Sequence, residues 1–316
     1  FNLIKNYFSK LSLINKYSLN LNDDVFFDKS KKLVISVDTY VEGVHFFDFK
    51  NPDLIIKKIL RSSISDLVCK GVKPTYYFIS GSGNKKNFTK KNLKLIAKSL
   101  KEEQKKYSIF LSGGDTVNSK ILSFTITTVG FSNKIIYRNK AKINDDIYVT
   151  GNLGDSFVGL KILKNKIRLK KKLNDYFKKK YYLPDVHIGF TKKLLSFANT
   201  SIDISDGLIT DLEKLINKQK LSYRLFIEDI PVSKNFKKIV DLKIIKKISH
   251  VSQGDDYQIL FTASKSKSRI IDKISKLSGL KISRIGRICR HNGKSQIIDE
   301  KNKKIKLKNK GYFHNF

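Results

Sequence analysis

The chain of 316 residues carries 64 Lys and Arg against 28 Asp and Glu, a net charge of +36, and 40% of it is hydrophobic. That length can bury a substantial core in two domains, and no apolar run is long enough for a bilayer-spanning helix, so no membrane partner is expected. Two cysteines, Cys69 and Cys289, lack metal-ligand spacing and form no disulfide framework, and no charged-apolar leader is visible, so the reading is a cytoplasmic protein.

In chain order, Leu3, Ile4, Tyr7, Phe8 and Leu11 fall at helical spacing and predict a short amphipathic opening helix. The paired acids of Asn22-Asp23-Asp24 follow. The stretch Leu33–Phe47 reads as a buried strand that delivers Asp38 at its end, with Gly43 turning the chain before His45. Residues Pro52–Val72 predict a helix with Asp66 set among apolar neighbours, a costly place for a charge without a partner. Tyr76–Ile79 reads as a strand and Phe88–Tyr107 as a Lys-rich helix. Ile109–Leu111 then leads into Ser-Gly-Gly-Asp-Thr, with Gly114 and Asp115, and Ile121–Phe131 alternates as a strand.

The polar stretch Ile135–Asp146, which contains Arg138, marks a domain boundary. The second half opens with the strand Ile147–Thr150 and Gly151-Asn-Leu-Gly-Asp155. Its glycine spacing matches neither a dinucleotide fingerprint nor a P-loop. Ile162–Tyr182 predicts an exposed basic helical insertion. Asp203 and Asp206 bracket Ser205, a candidate helix N-cap, and Asp255-Asp256-Tyr257 precedes the strand Ile259–Thr262.

Acids thus recur in Gly, Ser and Thr contexts near element ends. Oxygen donors without grouped His or Cys favour a hard cation, magnesium over zinc. Several such nodes suggest several ions around a polyphosphate, hence a phosphoryl-transfer or ATP-consuming enzyme. The Lys excess is spread along the chain, with concentrations at Lys170–Lys180 and Lys301–Lys310. A nucleic-acid groove would favour Arg and clustered aromatics, so a basic nucleic-acid-binding protein is only a rival reading.

The strings Asn-Asp-Asp, Asp-Thr-Tyr-Val-Glu-Gly-Val-His-Phe, Ser-Asp-Leu-Val-Cys-Lys-Gly-Val-Lys-Pro, Gly-Gly-Asp-Thr, Ile-Asp-Ile-Ser-Asp-Gly-Leu and Gly-Asp-Asp-Tyr occur in this order. With them the sequence resembles the thiamine-monophosphate kinase family, of the aminoimidazole ribonucleotide synthetase-like superfamily. The resemblance implies a two-domain α/β (α+β) fold. Residues 1–137 would form an ATP- and magnesium-binding sheet domain that completes a barrel across a homodimer, and residues 138–316 a C-terminal α/β domain completing the active site. It also implies transfer of the ATP γ-phosphate onto thiamine phosphate, assisted by several Mg²⁺ ions.

Carried over by position, Asp24, Asp38, Asp66, Asp115, Asp203 and Asp206 resemble the magnesium ligands. Gly114, Asp115, Arg138 and Ser205 match ATP-contacting positions, with Asp115 and Arg138 the catalytic pair. His45, Asp255 and Tyr312 match positions that contact thiamine phosphate. Departures from the usual pattern are Asn22 for glycine, Val37 for threonine, Ser63 for asparagine, His187 for arginine and Gln253 for glycine. Another ATP-using synthetase of the same superfamily, or a drifted paralogue keeping the fold, are the neighbouring alternatives.

Overall fold

Strand β2 (Leu33–Val41) buries Val34, Ser36 and Tyr40 and turns Val37 outward. This period of two is that of a strand with one face on a core. Such strands build the first of two sheets in the computed structural model, which describes residues 8–248, 252–291, 294–307 and 311–312. The chain divides into one unit of residues 1–135 and 187–192 and a second of residues 136–186 and 193–316.

In the first unit, β1 (Phe26–Asp28), β2, β6 (Ser123–Phe131), β3 (Pro74–Gly83) and β4 (Phe110–Gly113) lie side by side in the order β1-β2-β6-β3-β4. β5 (Thr116–Asn118) pairs with β3 beyond β4. The pairs β1/β2, β2/β6 and β3/β6 are antiparallel, whereas β4 and β5 both run parallel to β3. Helix α1 (Pro52–Cys69) starts with Pro at its first position, where the missing N–H costs nothing. It buries Ile55, Ile56, Ile59, Leu60, Ile64, Leu67 and Val68. Helix α2 (Lys90–Tyr107) packs on α1, capped by the Thr89 side chain, which accepts from Asn92 N. A buried fork locks the two helices: Arg61 Nε and Nη2 donate to Glu103 at 2.7 and 2.8 Å. Removing one partner of such a pair costs about 3–5 kcal/mol.

The second unit holds the sheet β12-β9-β11-β7-β10-β8. Its strands are β7 (Asp146–Thr150), β8 (Ala198–Asp203), β9 (Leu221–Phe226), β10 (Ile259–Ala263), β11 (Ile282–Arg290) and β12 (Gln296–Ile298). Only β12/β9 is parallel. Every residue of β7 and β10 is buried, so their apolar runs lack alternation. Helices α3 (Asp155–Leu163), α4 (Lys171–Tyr182), α5 (Thr191–Leu194), α6 (Leu208–Leu215), α7 (Lys234–Asp241) and α8 (Ser268–Ser278) complete the set of whole helices among the described residues. One core runs through Val149, Val158, Phe177, Ile202, Leu212, Leu225, Phe236 and Ile288.

Two sequence expectations are corrected. Leu3, Ile4 and Tyr7 of the opening helix lie outside the described residues; its remainder is a 3₁₀ turn, Ser9–Ser12, with Phe8 and Leu11 exposed. The expected exposed insertion Ile162–Tyr182 covers the end of α3 and the whole of α4, and α4 buries Phe177, Tyr181 and Tyr182 beneath its lysines. Aromatics one helical turn apart make that inner face.

Asp256 ties the segment before β10 to the start of α3, its Oδ2 accepting Gly154 N at 2.8 Å. Burial drives its pKa well above the carboxylate range, against the pull of that bond. A raised folded pKa favours folding while the group is protonated, and this contribution is lost as pH rises through the folded value. Asp256→Asn removes the titration. Its Tm relative to the parent is expected to climb as pH rises above the ordinary carboxylate pKa of about 4, read by thermal unfolding at stepped pH. A difference that stays flat would refute the role of Asp256.

Candidate active site

In the first unit β2 and α1 face each other with polar side chains at matching intervals. Ser36, Asp38 and Tyr40 are successive inward positions of β2, and Ser63, Asp66 and Lys70 lie three and four residues apart along α1 and its cap. Asp38 is therefore inside the strand, paired with Ile126, not at its end as the sequence suggested. The strand runs on because Thr39, Tyr40 and Val41 continue the ladder with β6. Tyr40 Oη donates to Asp38 Oδ2 at 3.2 Å, and Ser63 Oγ donates to Tyr40 Oη at 3.0 Å. Ser63 thus has a defined task, and Val37 is exposed on the other face of the sheet.

Asp66 accepts a short hydrogen bond from Ser36 Oγ. Asp23 and Asp24, just before β1, are gripped by one lysine: Lys70 Nζ lies 2.7 Å from Asp23 Oδ1 and 2.6 Å from Asp24 Oδ2. The lysine side chain is 0% exposed and the two acids 5% and 7%. Carboxylate oxygens of Asp24 and Asp66 approach within 4.8 Å of each other. Two hard oxygen donors at this spacing fit a magnesium-type ion.

His45 follows the turn at Gly43, where its Nδ1 accepts Val41 N at 3.0 Å and its ring meets Tyr40 edge-on. With Nδ1 an acceptor, the neutral ring carries its proton on Nε2. Gly114 and Asp115 occupy the break between β4 and β5. Asp115 O accepts Gly81 N at 2.8 Å, and its carboxylate, which is exposed, accepts Thr116 N at 2.7 Å. A Cβ on Gly114 would lie 1.8 Å from Ile79 O, so only glycine lets the break approach β3.

In the second unit two loops are zipped together. Asp203 is buried at the end of β8, and after it Ser205 O accepts Asp255 N at 2.8 Å while Ile204 O accepts Tyr257 N at 2.8 Å. Gly254 allows this, since a Cβ there would meet Ser205 O at 1.9 Å. Asp206 O accepts Tyr312 N at 2.9 Å. Asp203, Ser205, Asp206, Asp255 and Tyr312 are thereby neighbours in one region. Tyr257 Oη reaches Asp255 Oδ1 at 3.2 Å. Ser205 does not cap α6, contrary to the sequence reading, because Gly207 takes the N-cap position. Asp211 caps from inside the helix instead, its Oδ2 accepting Asp206 N at 2.9 Å and Gly207 N at 3.0 Å. Burial raises the Asp211 pKa to about 6 against the attraction of Lys214.

Lys214 bonds Asp211 Oδ1 at 2.8 Å and makes a short contact to Asp206 Oδ2. Burial works against its ammonium, but Asp211 and Asp206 together hold its pKa above the ordinary lysine value. Arg138 is set between two anchors: Tyr137 O accepts Thr200 Oγ1 at 2.6 Å, and Asn139 N donates to Leu215 O at 2.8 Å. The sequence reading missed Lys70, Lys214, Ser36 and Asp211. Lys70 alone carried a signal, a cation four residues after Asp66 at a helix end.

Residues 22–132 match the family model "AIR synthase related protein, N-terminal domain". Over 290 residues the chain is 35% identical to thiamine-monophosphate kinase of Buchnera aphidicola subsp. Schizaphis graminum, covering 90% of this chain and 88% of that protein. The chain belongs to the thiamine-monophosphate kinase family. The thiamine-monophosphate kinase of Haemophilus influenzae is 32% identical over 272 residues, 83% of this chain and 80% of its own. Among solved structures, AaThiL complexed with AMPPCP and TMP superposes with a TM-score of 0.80 at 24% identity, covering 96% and 97% of the two chains. Escherichia coli HypE gives 0.70 at 15% identity over 89% and 86%. At these identities the structural likeness concerns the mixed α/β fold with its two sheets.

For this thiamine-monophosphate kinase family member, Gly114→Ala is expected to force the β4–β5 break off β3 and carry Asp115 with it. Stability should fall by about 1–3 kcal/mol and affinity for a non-hydrolysable ATP analogue at least about tenfold, by denaturant unfolding and calorimetry. Parent-like values in both would remove the close approach as a requirement.

Proposed function

We propose that the chain transfers the γ-phosphoryl group of ATP directly to the phosphate of thiamine phosphate, forming thiamine diphosphate and ADP. The observation that carries this reading is the paired approach of Asp24 and Asp66, held by Lys70 and Ser36, in a chain of this family. An oxygen of the acceptor phosphate attacks the γ-phosphorus in line as the bond to the β-phosphate oxygen breaks. The second pKa of a phosphate monoester is about 6, so the acceptor is largely a dianion at neutral pH and needs no general base. The obstacle is bringing two anions together. Asp24, Asp38, Asp66 and Asp115 in the first unit, and Asp203 and Asp206 in the second, would hold magnesium, whose chemistry is to offset the charge of the two polyanions.

The protein's own groups supply the rest of the arrangement. Arg138, fixed by its anchored neighbours, offers a guanidinium to ATP phosphates, and Gly114 and Ser205 offer backbone and hydroxyl contacts. His45, with its proton on Nε2, would donate to thiamine phosphate, and Asp255 and Tyr312 are its candidate contacts in the second unit. Lys and Arg in excess favour the approach of such anionic ligands. Cys69 and Cys289 are not joined in a disulfide, which suits a reducing cytoplasm. Among the described residues no helix is long and apolar enough to cross a membrane.

The outward face of the first sheet supports a homodimer in which this face closes a barrel. Val37, Tyr76, Phe78, Phe110 and Phe131 are exposed there, and the register sets Tyr76 beside Phe110. So much exposed apolar sheet surface marks an interaction surface, and a second copy of the same face satisfies it isologously. Phe78→Lys is expected to shift the chain to monomer in analytical ultracentrifugation; an unchanged dimer would remove this face from the interface.

The deciding assay is ADP release with ATP, Mg²⁺ and thiamine phosphate, beside thiamine as the alternative acceptor. Release that depends on thiamine phosphate, with thiamine diphosphate as product, is expected; silence with a folded protein would overturn the reading. In the same assay Asp66→Asn should lower kcat more than about tenfold at saturating Mg²⁺. Near-normal turnover would remove Asp66 from the metal site.

A further inference from the structure

Two of the six acids assigned above to metal already carry a cation that belongs to the chain. In the first unit, Lys70 Nζ sits 2.7 and 2.6 Å from Asp23 and Asp24, with its side chain wholly out of solvent. In the second, Lys214 Nζ bridges Asp206 and Asp211, its side chain 17% exposed while those of the two acids are 28% and 0% exposed. The two arrangements are built alike. Each ammonium follows the chain of its acids at a helix end or in a helix, each bridges a candidate metal ligand to a second carboxylate, and each is screened from water. An ammonium this close competes with a divalent ion for the same oxygen, by occupying it and by repulsion across a few ångströms of low dielectric.

We infer that Lys70 and Lys214 are resident counter-cations of the metal-binding acids: they hold Asp24 and Asp206 in place before metal arrives and lower the affinity of those acids for divalent ions. They are positioning residues, since they act through the carboxylates and touch no reacting atom. The inference rests on the assignment of Asp24 and Asp206 as metal ligands. Without its lysine, each pair of acids would meet as like charges in a site poor in water, and a divalent ion would be the natural replacement.

The test uses the full chain without nucleotide. Mn²⁺ is titrated into the parent, Lys214→Met and Lys70→Met, with free Mn²⁺ followed by electron paramagnetic resonance, and Lys214→Arg and Lys70→Arg serve as charge-retaining controls. Each Met variant is expected to bind Mn²⁺ about tenfold or more tighter than the parent, and each Arg variant to match the parent. Thermal unfolding should show the Met variants losing Tm in EDTA and recovering part of it in Mg²⁺. Mn²⁺ affinities within about twofold of the parent, with the same Tm loss in EDTA and in Mg²⁺, would overturn the inference and leave the lysines as structural ties alone. If Lys70→Met does not fold, even with Mg²⁺, the partly exposed Asp206 makes Lys214→Met the deciding variant. The outcome is separate from the kinase reading. Tightened Mn²⁺ binding in a chain inactive on thiamine phosphate would keep this inference and discard that reading, and an active parent with unmoved Mn²⁺ affinities would do the reverse.

Discussion

Carboxylates brought side by side away from water repel one another, and each must find a donor or a cation before the backbone around it can settle. That constraint shapes both units. Asp23 and Asp24 are tolerable before β1 because Lys70 reaches both. Asp66 is tolerable in an apolar helix because Ser36 donates to it across from β2. Asp211, fully enclosed, gathers two backbone N–H groups and the Lys214 ammonium. Even away from the acids assigned to metal, Asp145 accepts both from Asn199 and from Thr262. The polar groups that satisfy these acids also fix which way they point. Stability and preparation of the site are therefore the same set of contacts.

How much of this the sequence could disclose depends on the range of the interaction. Acids next to glycine or serine at the ends of apolar runs are local patterns, and Asp66, Asp115, Asp203 and Asp255 were visible as such. The ordered motifs named the family, which the curated relatives bear out. The end of β2 was placed at Asp38, three residues short of Val41, because periodicity cannot say where pairing with β6 stops. Ser205 was read as an N-cap from its type and position, but Asp211, one turn further on, reaches the same orphan N–H groups from inside the helix. The bond between Ser36 and Asp66 joins residues 30 apart in the chain, and no local spacing announces it. Lys70 and Lys214 were hidden by abundance. In a chain with 64 Lys and Arg, nothing in the letter K separates a buried clamp from a solvated surface residue.

The departures from the family pattern read differently once the neighbours are known. Ser63 stands where asparagine is usual, and its hydroxyl is spent on Tyr40, which in turn steadies Asp38. Val37 projects from the opposite face of β2, away from Ser36 and Asp38, so its loss of a hydroxyl touches the outward surface of the sheet. Gln253 precedes Gly254, and it is Gly254 that comes up against Ser205 O.

Helix α1 deserves a mechanical description. At 18 residues it is a rod of about 27 Å, braced along its length by the Arg61–Glu103 fork, with Ser63, Asp66 and the Lys70 cap all on the far side of that brace. Such a rod behaves as a lever with its fulcrum at Arg61. A small tilt caused by repacking beneath Ile55 or Ile59 is delivered to the end that bears the carboxylate and the ammonium. Core substitutions about 10–16 Å along the helix from Asp66 can then register as altered ion handling while leaving every polar residue unchanged. Substitution at these isoleucines becomes a tuning screw for the charged end of the helix.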